Sequence, residues 1–297
     1  MMAMRQSWQS FRIFMEMIKI EHSIFALPYA MLGMMWGSYS KSGVLWPGFE
    51  IFGWIVVAMV SCRSAAMAFN RIADRDIDAE NPRTVMRALP AGLLQLKQAQ
   101  LFLYGSIGIF LLAAFMLNPL TLALSPIALL FTLGYSLTKR FTWLCHFVLG
   151  LSLGIAPAAA WIGVTGSLSP SIVAITLAVT FWTAGFDILY ALADDEFDRA
   201  KNLHSIPAKF GRQRAMLISR ASHVIAVGCL LAGGMLLQAG WIYFLGVAVA
   251  AGMLVYEQSL VKPNDLSKLN MAFFTLNGYI SMGVFLFALI DKLVVRA

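Results

Sequence analysis

Cysteine is nearly absent from this sequence. Cys62, Cys145 and Cys229 stand singly in apolar runs, with no pair at redox or metal-ligand spacing, which excludes a disulfide framework and a thiolate metal site. The histidines are scattered and form no ligand set. Charge is scarce as well: only 12% of the 297 residues are Asp, Glu, Lys or Arg, whereas 60% are hydrophobic and the mean hydropathy is +0.75. A soluble domain carries about 25% charged residues, so that class is excluded. The chain reads as an integral membrane protein, with the lipid bilayer as its first partner.

Apolar runs long enough to cross a bilayer, about 20 residues each, fall near residues 22–40, 50–69, 98–117, 120–137, 144–164, 171–193, 216–237, 241–260 and 271–290. Nine spans result, and the fold class expected is an all-α polytopic membrane protein. Pro28, Pro126 and Pro157 lie inside spans, where neighbouring helices can satisfy the freed backbone groups. Basic residues are retained on the cytoplasmic side. With the N-terminus inside, Arg5, Arg12, Lys19, Arg71, Arg75, Arg83, Arg87, Lys97, Lys139, Arg140 and the bases between Arg199 and Lys268 all fall inside, eighteen of twenty-two. Lys41, Lys292 and Arg296 fall outside and Arg63 within the second span, so the C-terminus is expected outside and the expected location is a bacterial cytoplasmic (inner) membrane. Glu16 and Glu21 beside the N-terminal bases, without a small-residue cleavage site, argue against a removed signal. The net charge of +7 is thereby a topology and lipid-headgroup signal, and it calls for no nucleic acid.

Against this apolar background the acids are concentrated. In FNRIADRDIDAENPRT, Phe69–Thr84, the residues Asn70, Asp74 and Asp78 are spaced i, i+4, i+8 and are expected to line one stripe of a continuing helix. Arg63 lies on the same stripe, two turns deeper, and an arginine there normally faces the bundle interior or a watery cavity. In FDILYALADDEFDRAKNLHSIPAKFG, Phe186–Gly211, the residues Tyr190, Asp194 and Asp198 repeat the spacing, each 120 positions after its counterpart. Asp187 stands seven residues before Asp194. Four spans separate the two clusters, so both emerge on one membrane face. A tandem parallel duplication is expected within one domain, 1–297: repeat one about 22–140, repeat two about 141–262 and a final helix about 271–290.

Two opposed carboxylate stripes suit Mg²⁺, a hard cation that uses one or two carboxylates together with substrate phosphates. Two such sites could clamp a diphosphate, and Lys139, Arg140, Arg75 and Lys201 are the bases placed to neutralise its charge. A secondary transporter would also show repeats and intramembrane charges, but its site lies near the midplane on broken helices, whereas these acids gather at one face.

These motifs resemble the double aspartate signature of the UbiA-type intramembrane prenyltransferases. The matches are NxxxDxxxD (Asn70, Asp74, Asp78) and YxxxDxxxD (Tyr190, Asp194, Asp198), with LPYAMLG, RTVMRALPAG, GYSLTKRFTWLCHFVLG and LHSIPAKFG in support. LHSIPAKFG is most similar to the branch acting on 4-hydroxybenzoate or on a naphthoate of menaquinone synthesis. Arg71 and His146 depart from the family, which commonly has an acid and a glutamine there. The resemblance implies nine helices around a central cavity open to the cytoplasmic leaflet, and transfer of a polyprenyl group from an allylic polyprenyl diphosphate to an aromatic acid in quinone (ubiquinone) biosynthesis. It implies one Mg²⁺ on Asn70, Asp74 and Asp78 and another on Asp194 and Asp198. Lys139 and Arg140 would hold diphosphate oxygens, Arg63 the aromatic carboxylate or the diphosphate, Asp187 the ring hydroxyl, and Tyr190 the cation or the diphosphate. No obligatory protein partner is implied.

Overall fold

The computed structural model describes residues 23–295. Arg5, Arg12, Lys19 and Arg296, used above to orient the chain, lie outside the described residues, as does residue 22 of the first expected span. The architecture is all-helical: α1 (Ser23–Ser42), α2 (Phe49–Ala73), a short α3 (Arg75–Glu80), α4 (Leu96–Leu117), α5 (Pro119–Thr138), α6 (Cys145–Thr165), α7 (Pro170–Tyr190), short α8 (Asp195–Ala200) and α9 (Ile206–Phe210), α10 (Arg212–Leu236), α11 (Trp241–Leu260), and a π-helical turn Met271–Leu276 that runs into α12 (Asn277–Val294). Eight of the helical segments are long and apolar enough to cross a membrane among the described residues; α1 is the exception. Its second half carries Ser38, Ser40, Lys41 and Ser42, yet Tyr29, Leu32 and Trp36 are buried against the bundle. Each expected span coincides with a long helix to within a few residues.

The boundaries follow from local chemistry. Asn118 alone separates α4 from α5: it ends the first and caps the second, its side chain accepting from the Thr121 N–H at 2.9 Å, with Pro119 at the first helical position. The Asn118 amide also donates to the Ile162 carbonyl at 2.8 Å and so ties this turn to the end of α6. Gly166, at φ 72, stops α6 in the left-handed conformation that glycine adopts without strain. Helices run through Pro28, Pro126 and Pro157.

Packing centres on α6 and α7. Helix α7 contacts α6 on one side and α10 on the other, while α6 also meets α1 and α5. Some 67% of the apolar stretch of α7 is buried in the protein, against 17% for α5, so α7 is the axis and α5 a wall. Close approach is made possible by small residues, as in membrane bundles generally. A Cβ on Gly150 would collide with the Thr180 carbonyl of α7, one on Gly154 would stand 2.7 Å from the Thr176 carbonyl, and one on Gly33 of α1 would collide with the Pro157 carbonyl. The second half of the chain and α1 together form a dense core around Tyr29, Trp36, Trp182, Tyr243 and Ile280. The first half is more open: α2 leans on α4 and α5, and only lightly on α1 and α6.

The opening between them is an apolar cavity of about 400 Å³, walled by residues of α1, α2, α5, α6 and α7, including Met59, Met67, Leu124, Leu153 and Phe186. Its walls depend on the α6–α7 contact. Gly150→Ala should cost about 1–3 kcal/mol of overpacking, read as a lowered melting temperature in detergent, whereas Gly134→Ala, where a Cβ meets open space, should leave it unchanged.

Candidate active site

Both acid clusters start as helix ends. The second and seventh helices each stop just before the middle aspartate, Asp74 or Asp194, which sits at nearly the same backbone angles (φ −94, ψ 7 and φ −109, ψ 3) before a short helix begins. A 3-10 turn, Ala191–Ala193, precedes Asp194. The expected continuous stripe is thus corrected to a broken one in both motifs. The break has a physical reason: like charges spaced i, i+4 repel on an unbroken helix, and a kink lets each carboxylate find its own cation. Across the break the backbone still turns helically, with the Asp78 N–H on the Asp74 carbonyl at 2.7 Å and the Asp198 N–H on the Asp194 carbonyl at 2.8 Å.

The two motifs meet at one end of the bundle. Arg83, from the segment after the first motif, donates through Nε to Asp194 Oδ1 at 3.0 Å and through Nη2 to Asp194 Oδ2, and its Nη1 donates to the Tyr190 hydroxyl at 2.8 Å. Lys201 of the second motif pairs with Glu80 of the first. The consecutive bases at the end of α5 divide between the motifs: Lys139 pairs with Asp198 at 2.7 Å and Arg140 with Asp74 at 3.2 Å. Arg87 grips both oxygens of Asp78 at 2.7 and 2.8 Å, and the Asn70 amide donates to Asp74 at 2.9 Å.

These groups enclose a polar pocket of about 230 Å³, lined by Asn70, Asp74, Asp78, Lys139, Arg140, Tyr190 and Asp194 among the residues expected from sequence. Asp198 stands just behind it, fully buried against Lys139. Arg75 and Lys201 are corrected: neither lines the pocket, because Arg75 turns to the exposed Asp76 and Lys201 to Glu80. Their place is taken by Arg83 and Arg87, which sit four residues apart in RTVMRALPAG. Both stand in the run of turns between α3 and α4, where helical spacing gives no guide to which way a side chain points. Asn81, Thr84, Tyr135, Ser136 and His146 are polar lining residues that the motifs did not point to.

Directly beneath the polar pocket lies the apolar cavity, and the two share Tyr135, Leu149 and Asp187. Arg63 lines the apolar cavity and not the polar pocket. The Asp187 carboxylate lies 2.7 Å from His146 Nδ1. Tyr190 stacks on Phe273 of the π-helical turn, with ring centres 4.2 Å apart, and the Arg83 guanidinium lies 5.1 Å from the Tyr190 ring centre.

Burial pushes the carboxyls of Asp74 and Asp198 above the ordinary carboxylate value, although Arg140 and Lys139 pull in the other direction. Each would gain from further positive charge. Among the described residues no three His, Cys, Asp or Glu side chains converge on a ready-made metal site. Mg²⁺ needs none, since it binds through one or two carboxylates and completes its shell with phosphate oxygens and water. The donor set, all oxygen and split between two facing motifs, fits that requirement.

Residues 26–279 match the UbiA prenyltransferase family. This chain belongs to that family. A UbiA relative from Vibrio cholerae, a 4-hydroxybenzoate octaprenyltransferase, is 33% identical over 239 residues, which cover 80% of this chain and 83% of that protein. The apo structure of a UbiA homolog from Aeropyrum pernix K1 superposes with a TM-score of 0.82 at 32% identity, covering 92% of this chain and 98% of that one. A UbiA homolog from Archaeoglobus fulgidus, solved bound to DMAPP and Mg²⁺, shares the fold with a TM-score of 0.71 at 18% identity, over 95% of this chain and 99% of that one. The UbiA architecture therefore holds across most of the chain.

One further clamp lies next to Asp194 in sequence, outside the pocket lining. Asp195 is held by Arg212 through two bonds, at 3.0 and 2.8 Å, and by Arg199 at 2.7 Å. Burial alone would raise its carboxyl; the Arg212 hydrogen bonds and the two guanidinium charges overcome this and hold it below the ordinary 3.8. A depressed folded value contributes stability above about pH 4, lost as pH falls through the folded value. Asp195→Asn should therefore melt lower than the parent at neutral pH and lose less on acidification. Parallel melting curves from about pH 7 to pH 3 would remove the clamp from the stability of this face.

Proposed function

We propose that this UbiA-family prenyltransferase moves a polyprenyl group from an allylic polyprenyl diphosphate to the ring of an aromatic acid, with 4-hydroxybenzoate as the acceptor, in quinone synthesis. One observation carries the reading: two acid motifs, 120 residues apart, share one basic pocket that opens onto an apolar cavity. A diphosphate fits the first and an isoprenoid chain the second.

In this reading Asn70, Asp74 and Asp78 would hold one Mg²⁺, and Asp194 and Asp198 a second. Bound there, the cations would supply positive charge to the diphosphate as its bond to the allylic carbon breaks. The protein's own bases act alongside. Arg83, Arg87, Lys139 and Arg140 each hold a carboxylate in the structure described, and each is freed to turn to diphosphate oxygens when a cation takes over its acid. The electron pair of the breaking C–O bond goes to the leaving diphosphate, where these donors stabilise it. The stacked pair Tyr190 and Phe273, one lining the polar pocket and the other the apolar cavity, would lie beside the developing allylic cation. Arg63 lines the apolar cavity and not the polar pocket, which supports a role toward the acceptor's carboxylate rather than the diphosphate. Asp187, where the two spaces meet, accepts the acceptor's ring hydroxyl and so enriches the neighbouring ring carbon that forms the new bond. The ring proton then passes to the released diphosphate or to water, and its C–H electron pair restores aromaticity.

The basic excess of the acid-bearing end supports placing it in the cytoplasm, with Lys41 and Lys292 at the opposite end, bonded to the carbonyls of Val164 and Gln238. The likeness in backbone path at Asp74 and Asp194 supports the duplication.

Membranes carrying the protein should convert 4-hydroxybenzoate and a polyprenyl diphosphate to a prenylated acid, identified by mass, and chelation of divalent cations should stop both that product and diphosphate release. Product formation undiminished by chelator would overturn the metal assignment. Asp194→Asn should fold and lose roughly 10²-fold in turnover. A dihydroxynaphthoate offered in the same mixture tests the acceptor: preferential prenylation of that ring would replace 4-hydroxybenzoate in this reading.

A further inference from the structure

The apolar cavity and the polar pocket join at Asp187, and the one imidazole bonded to it is fully determined by its surroundings. His146 is buried, at 3% exposure, on the first turn of α6. Its Nε2 receives the backbone N–H of Ile206 at 3.2 Å. Ile206 is itself buried and opens α9, where a helix's first N–H groups have no partner within the helix. An Nε2 that accepts carries no proton, so the ring is neutral and its proton sits on Nδ1. The Nδ1–H then donates to Asp187 Oδ2 at 2.7 Å. A protonated imidazole would aim a second N–H at that of Ile206. The chain Ile206 N–H, imidazole, carboxylate therefore runs in one direction only, and it connects the loop behind the second acid motif to the carboxylate facing the cavity.

We propose that His146 is the positioning residue of the acceptor site: as the Nδ1–H tautomer it clamps one oxygen of Asp187, which leaves the other presented to the hydroxyl of the aromatic acceptor. This rests on the acceptor reading above. The chemistry required at position 146 is one donor and one acceptor at opposite ends of a planar group. A glutamine amide meets the requirement, donating to Asp187 through Nε2 and accepting from Ile206 through Oε1. Methionine, of similar reach, meets neither half.

The test uses the full-length protein in membranes or detergent, with geranyl diphosphate and 4-hydroxybenzoate as substrates and each KM measured separately. His146→Ala and His146→Met should lose about tenfold or more in kcat/KM for the acceptor, since a hydrogen bond to a charged group is removed, while KM for geranyl diphosphate stays within about twofold of the parent. His146→Gln should recover most of the loss. Added imidazole should partly restore His146→Ala, whereas 1-methylimidazole, which accepts but cannot donate, should not. If His146→Ala does not accumulate in membranes, the contrast of Gln with Met gives the same reading. A parental acceptor kcat/KM in the Ala or Met variant, equal behaviour of Gln and Met, or a rise in the geranyl diphosphate KM parallel to the acceptor's would overturn the proposal. A parent enzyme that prenylates no aromatic acid would instead sink the acceptor reading, so the two failures are distinguishable.

Discussion

Charge neutralisation between the two halves of the chain is the constraint on which the site depends. Asp78, Asp194 and Asp198 are buried and Asp74 is half-buried, and each is held by a different base: Arg87, Arg83, Lys139 and Arg140. Leaving such a carboxylate unpaired away from water would cost several kcal/mol. One of these pairs, Arg83 with Asp194, joins segments more than a hundred residues apart in sequence, and Lys201 with Glu80 does the same beside it. The helix ends are thus drawn together by the same charges that would meet substrate in the function proposed. No separate device is needed to assemble the pocket.

A charge-balanced pocket also explains how it can accept so charged a ligand. Adding a diphosphate alone would bring anion against carboxylate, and adding divalent cations alone would bring cation against arginine. Adding both exchanges partners: acids pass from arginine to metal, and arginines from acid to phosphate, with the net balance nearly kept. Electrostatic work is then small at binding and is available at the step where charge develops on the leaving group. Beneath, the cavity wall is mostly apolar with a few hydroxyls, and Arg63 and Asp187 are the charged side chains that line it.

Much of this was legible in the sequence, and the reasons differ by element. The spans follow from composition because a bilayer demands about 20 apolar residues whatever their packing, and the runs near 241–260 and 98–117 match helices almost end to end. The acid triples were legible through spacing, since a helix converts i, i+4, i+8 into a face. What spacing could not reveal is the break at Asp74 and Asp194, which depends on cations arriving from elsewhere in the fold. Arg75 and Lys201 were misplaced for the same reason: proximity in sequence to an acid motif says little about which way a long side chain turns, and each found a surface acid, Asp76 or Glu80. His146 gave no sequence signal as a functional group, because its role is defined by two partners 41 and 60 residues away.

The breaks themselves tie fold to function. An unbroken helix from Phe49 to Glu80 would hold Asp74 and Asp78 stacked on one face, with their mutual repulsion unrelieved and both carboxylates bound to move as one rigid body. With the helix stopped at Ala73, the short helix that follows can place Asp78 against Arg87 while Asp74 faces Asn70 and Arg140. The same stop after the seventh helix divides Asp194, held by Arg83, from Asp198, held by Lys139. Four carboxylates thereby occupy four electrostatic environments within one small pocket. A uniform stripe would bind a cation anywhere along its length; a divided one would, in the function proposed, fix where each cation sits and so set the diphosphate relative to the cavity mouth at Asp187.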